Sequence, residues 1–131
     1  MEPRFISEGS ISIVRGGYRV NKPIIYYSKV LKRRIEIDSG FITDLASVPK
    51  VVPRWVVDVA TGPTRLAAIV HDALCVDKYK KRYNTSQAQA DKVWGEALKI
   101  QGVNWFSRQF LVGFVRAYQM AIHRQNYWKK L

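Results

Sequence analysis

Apolar and polar positions divide the chain into two stretches with different periods. Over the first forty or so positions, β-branched and aromatic residues dominate: Ile11, Ile13, Tyr18, Val20, Ile24, Ile25, Tyr26, Tyr27, Val30 and Leu31. These types suit a pleated, half-buried surface. Gly16-Gly17 and Asn21-Lys22-Pro23 read as turns between them. Arg34 to Asp38 alternates charged and apolar residues, the pattern of a strand with one buried face, and Ser39-Gly40 closes it. The region 4–40 is therefore predicted to be strand-rich, and Tyr27 to Ile37 to form a hairpin with a basic tip.

Residues 41–63 are expected to form a loop, because Pro49, Pro53 and Pro63 forbid a long helix. The period then lengthens. Leu66, Ile69, Val70, Ala73 and Leu74 form one helical stripe, predicting a helix over about 64–75. At about 100° per residue, His71 and Asp72 lie on opposite shoulders of that stripe. Asp77 to Thr85 reads as a polar, basic loop. Ser86, with Gln89 three positions on, is a capping box that opens a second helix, 86–101. Its buried face is Ala90, Val93, Trp94, Ala97 and Leu98, with Asp91 at the margin. Gly102 marks a stop. Asn104 is a cap for a third helix, 104–124, carried by Phe106, Phe110, Gly113, Phe114, Ala117, Tyr118 and Ala121. The predicted class is α+β: a single domain over 1–131, with an N-terminal antiparallel sheet of hairpins followed by about three helices.

Composition narrows the possibilities. At 131 residues and 47% hydrophobic, the chain is long and apolar enough to bury a core, which excludes disorder throughout. With one cysteine, Cys75, no internal disulfide forms, and this residue reads as a small buried hydrophobe in a reducing compartment. Met1 to Arg4 lack the basic-then-apolar pattern of a secretory signal, and no apolar run approaches the roughly 18–20 residues of a membrane span. The net charge is +12. It gathers at Lys29, Lys32, Arg33 and Arg34, at Lys78, Lys80, Lys81 and Arg82, and at Arg124, Lys129 and Lys130. Such a field suits an anionic partner: nucleic acid, an acidic protein surface or phosphorylated glycans. Lys29, Lys32, Arg33, Arg34, Lys80, Lys81 and Arg82 are the candidate anion-binding residues.

Five polar residues stand out against the apolar pattern: Asp44, Ser47, His71, Asp72 and Asp91. A carboxylate near an apolar surface costs free energy unless something pairs with it or binds it. Three carboxylates and one imidazole suit acid–base catalysis, or one divalent ion such as zinc or manganese with Asp44, His71 and Asp91 as ligands. Each also has a plainer use. Asp44 and Ser47 suit a turn, His71 a core hydrogen bond, Asp72 an ion pair with Arg65 or Lys78, and Asp91 a favourable place near a helix N-terminus. His123 reads as a surface residue. No HExxH, Walker loop, GxGxxG or paired CxxC is present.

Gly40 to Pro49, Ala67 to Asp72, and Ser86 to Asp91 together resemble, in order and spacing, the family filed as domain of unknown function 1353. The resemblance covers roughly Phe5 to Val115. It departs at Gln87, where the family usually has Arg, at Lys50, and at Ala73 to Cys75, which replace an aromatic-rich sequel. It implies a bacteriophage or prophage origin and a shared polar site, but no reaction. Two functional readings follow. One is a metal-assisted hydrolase acting on an anionic substrate, with Asp44, His71, Asp72, Asp91 and Ser47 as its catalytic candidates. The other is a non-enzymatic basic protein of the host cytoplasm or the virion and its tail, binding nucleic acid, an acidic partner or other virion proteins. In that case the polar residues form a closed hydrogen-bond network.

Overall fold

The computed structural model describes residues 2–14, 17–43, 65–110 and 113. Six strands come first: β1 (Arg4–Ser7), β2 (Ser10–Val14), β3 (Gly17–Lys22), β4 (Ile24–Ser28), β5 (Arg33–Ile37) and β6 (Ile42–Thr43). They form two antiparallel three-stranded sheets rather than one, ordered β1-β4-β5 and β2-β3-β6. The class is α+β, as expected.

The switch between sheets occurs at two neighbouring places. Asn21 and Lys22 do not turn; they extend β3, and Pro23 alone separates it from β4 in the other sheet. Proline lacks the N–H that a ladder needs, so it interrupts pairing without reversing the chain. Between β1 and β2 the chain crosses the same way at Gly9, whose φ is +63°. A Cβ there would lie 2.4 Å from the Lys22 carbonyl oxygen and 2.7 Å from that of Pro23. Only glycine accommodates both the left-handed backbone and the close approach.

The predicted hairpin forms. β4 and β5 pair from Ile24 opposite Ile37 to Ser28 opposite Arg33, with residues 29–32 as its basic tip. Alternation along these strands buries Ile24, Tyr26, Ile35 and Ile37.

Helix α1 (Arg65–Leu74) and helix α3 (Gln87–Ile100) match the predicted helices within a residue or two. The capping box at α3 is present: Gln89 N donates to Ser86 Oγ at 3.2 Å, and Ser86 N donates to Gln89 Oε1 at 3.0 Å. Asp77 to Tyr83 is not a loop but a seven-residue helix, α2. Tyr79 and Tyr83, one turn apart, supply the buried stripe that fixes it, and Asn84 ends it in the left-handed conformation. Beyond α3, Gly102 turns the chain with φ +91°, Asn104 Oδ1 accepts from Ser107 N at 2.8 Å, and residues 105–110 are helical.

The core joins both layers. Val20, Ile24, Tyr26, Ile35 and Ile37 from the sheets meet Ile69, Val70 and Leu74 of α1, Tyr79 of α2, and Val93, Trp94 and Leu98 of α3. Among the described residues no helix is long and apolar enough to cross a membrane.

Candidate functional site

The polar site starts from α1. Its apolar stripe faces the core, so the shoulder residues His71 and Asp72 diverge, as the helical angle requires. His71 is 7% exposed and turns toward α3. There its Nε2 lies 2.8 Å from Oδ1 of Asp91, which is 1% exposed. Asp91 is thus a core residue and not a marginal one. Trp94, one turn further along α3, stacks on the imidazole with ring centres 4.6 Å apart.

Burial works against a charged imidazole, but the hydrogen bond to Asp91, then the contact with Cys75, raises the His71 pKa from 6.5 to about 9. The raised pKa favours a charged ring whose Nε2–H donates to the Asp91 carboxylate. While its Nε2–H donates to Asp91, that nitrogen has no lone pair to offer a metal or a proton.

Asp72 takes the other direction. Its carboxylate accepts a hydrogen bond from the Thr43 hydroxyl at the end of β6. It pairs with neither Arg65 nor Lys78, because Lys78 goes to Asp38 at 3.2 Å. The two adjacent motif residues therefore tie α1 to two different elements, His71 to α3 and Asp72 to β6. Asp44 and Ser47 lie outside the described residues, as does His123. Among the described residues no three His, Cys, Asp or Glu side chains are placed to hold one ion. Of the set Asp44, His71 and Asp91, the last two meet, and the first lies outside the described residues.

Three participants escaped sequence reasoning. Cys75 is half-buried rather than a sealed hydrophobe, and its Sγ lies 3.8 Å from His71 Nε2. Gln87 Nε2 donates to both Asp91 Oδ1, at 3.2 Å, and Cys75 Sγ, at 3.3 Å. The indole Nε1 of Trp94 is buried with no partner among the described residues. The available signal was spacing: His71 and Cys75 are four apart, as are Gln87 and Asp91, so each pair shares a helix face.

The basic residues form a second feature. Helix α2 lies along β5. Tyr83 Oη accepts from Glu36 N at 2.7 Å, and Tyr79 Oη accepts from Asp38 N at 3.0 Å. This packing brings together two cationic clusters from distant parts of the sequence. The guanidinium of Arg33 sits 4.8 Å from the Tyr83 ring centre, and that of Arg82 sits 4.9 Å from the Tyr79 ring centre. Arg82 also makes a two-pronged pair with Asp38, at 3.2 and 2.9 Å, and that hydrogen bonding holds the Asp38 carboxyl below its usual pKa. Arg82 is thus committed within the protein. Arg33, Arg34 and Lys81 are exposed, with Arg33 and Arg34 on opposite faces of β5, Lys32 occupies the hairpin tip with φ 54°, and Lys80 is half-buried. Lys29 stands apart, 3.5 Å from Glu2.

Glu96 on α3 secures the hairpin. Its Oε1 accepts from Tyr26 Oη at 2.8 Å, and its Oε2 accepts from the backbone N–H groups of Lys29 and Val30, both at 3.0 Å. Burial, reinforced by this carboxylate, pushes the Tyr26 hydroxyl far above its usual pKa.

A family model described as protein of unknown function, DUF1353, matches residues 18–114. The chain belongs to that family. No curated protein and no solved structure matches it.

Proposed function

We propose that this member of the family is a nucleic-acid-binding protein, with the face formed by β5, the hairpin tip and α2 as its contact surface. The observation that carries this reading is the convergence of two cationic clusters on the Tyr79–Tyr83 pair. Guanidinium and ammonium groups held side by side on a rigid aromatic base suit successive backbone phosphates. Asp38 fixes Arg82 and Lys78 and leaves Arg33, Arg34 and Lys81 exposed.

In this reading His71 and Asp91 are a lock and not a reaction centre. The imidazolium and carboxylate satisfy each other, and Asp72 holds the strand that leads into the Asp44–Pro49 motif. A phage or prophage origin, with action in the host cytoplasm, is part of the same proposal and rests on the motif resemblance.

The test is a salt titration of binding to a labelled duplex DNA. The expected plot of log affinity against log salt has a slope of about −3 or steeper, as for about four neutralised phosphates. No binding at low salt, or a flat dependence, overturns the proposal. Equally strong binding to polyglutamate reassigns the face to an acidic protein surface.

A further inference from the structure

The helical residues after Asn104 turn their apolar side away from the core. At about 100° per residue, positions 105, 106, 109, 110 and 113 share one arc of about 140°. All five are exposed, Trp105 at 63%, Phe106 at 76% and Phe110 at 42%. Ser107 and Arg108, off that arc, are half-buried, and Arg108 Nη1 donates to the Val103 carbonyl at 2.7 Å. A surface helix of a folded domain normally does the reverse and turns its apolar stripe inward. Charge accompanies the aromatic arc. Lys92, Lys99 and Arg108 line one cleft of about 450 Å³ together with Gln109, which belongs to the arc. The carboxylates in that cleft are committed elsewhere, Asp91 to His71, and Glu96 to Tyr26 and the hairpin N–H groups. The sequence keeps the same sign: from Ala97 to Leu131 it holds six basic residues, Lys99, Arg108, Arg116, Arg124, Lys129 and Lys130, and no Asp or Glu.

We propose that this aromatic face docks on an anionic lipid bilayer, with the helix lying in the plane of the interface. Trp and Phe rings leave water at the level of the headgroups, and cations beside them meet the lipid phosphates. A bilayer accepts a convex helix face whole. A single nucleic-acid strand instead needs a groove that tracks its backbone, and a protein partner needs a groove shaped to the helix. The aromatic face is distinct from the surface formed by β5 and α2, so the two bindings are separable.

The test is flotation of the full chain with vesicles of phosphatidylcholine containing about 30% phosphatidylglycerol, against vesicles of phosphatidylcholine alone. The parent is expected to bind the anionic vesicles at least about tenfold more tightly than the neutral ones. Trp105→Ser with Phe106→Ser removes two exposed rings and no charge. It is expected to weaken binding to the anionic vesicles by about tenfold or more, leaving duplex DNA binding and the urea midpoint unchanged. Arg33→Glu with Lys81→Glu, on the nucleic-acid face, is expected to weaken flotation less than the ring variant does. No binding to the anionic vesicles, equal binding to the neutral ones, or anionic binding unchanged in the ring variant overturns the proposal. So does a parent that is dimeric in light scattering and becomes monomeric in the ring variant, which assigns the rings to a second copy of the chain.

Discussion

His71 and Asp91 show why a buried charge pair is a commitment. Each would be costly alone in the core, and removing one partner leaves the other uncompensated. Asp91→Ala is expected to lower unfolding free energy by about 3–5 kcal/mol, measured by urea titration at pH 6.5. The pair also makes stability depend on pH with a definite sign. His71 titrates near 6.5 when unfolded and at about 9 when folded. A raised pKa contributes stability that is fully present below the unfolded value and is lost as pH rises through the folded one. Stability should therefore fall between about pH 6.5 and 9, by up to the order of 3 kcal/mol at about 1.4 kcal/mol per pH unit. A urea series over that range in Asp91→Asn should lose most of the slope. Both residues were legible in the sequence as misplaced polar groups, and so was their divergence from Asp72. Their partners were not. Gln87 and Trp94 look like ordinary helix residues until α1 and α3 are packed together, because contact between helices leaves no mark in local periodicity.

At the scale of elements, side chains do work usually left to backbone pairing. β5 is the edge of its sheet, and its outward N–H groups at Glu36 and Asp38 meet the hydroxyls of Tyr83 and Tyr79. Tyr83 Oη also donates back to the Glu36 carbonyl at 3.2 Å. Covering an edge in this way blocks strand addition by another chain. Tyr83→Phe keeps the ring but orphans that N–H, and is expected to cost about 1–3 kcal/mol in thermal or urea unfolding. Gly9→Ala is expected to cost more than the roughly 1–2 kcal/mol of a left-handed alanine, because its Cβ also meets two carbonyl oxygens. The hairpin, α1, α3 and the capping box were all readable, since each repeats a period or carries a terminus signal. Helix α2 was hidden because only Tyr79 and Tyr83 mark its buried stripe, among four basic residues that read as loop. The division into two sheets was hidden as well, since β2, β3 and β4 look alike along the chain and only Gly9 and Pro23 mark the crossings.

At the scale of the molecule, a charge of +12 says only that anions are attracted. The fold adds location. Arg33 and Arg82, far apart in sequence, stand over neighbouring rings of one helix, and no reading of composition places them there. The distinction between overall charge and a built face is directly measurable. Duplex DNA binding should be compared for the parent, for Arg33→Glu with Lys81→Glu on the face, and for Lys92→Glu with Lys99→Glu, exposed residues of α3. Both variants carry the same net charge. The face variant is predicted to bind about tenfold more weakly than the control variant, with a shallower salt slope. Equal weakening of the two, at any salt concentration, would contradict a localised nucleic-acid surface.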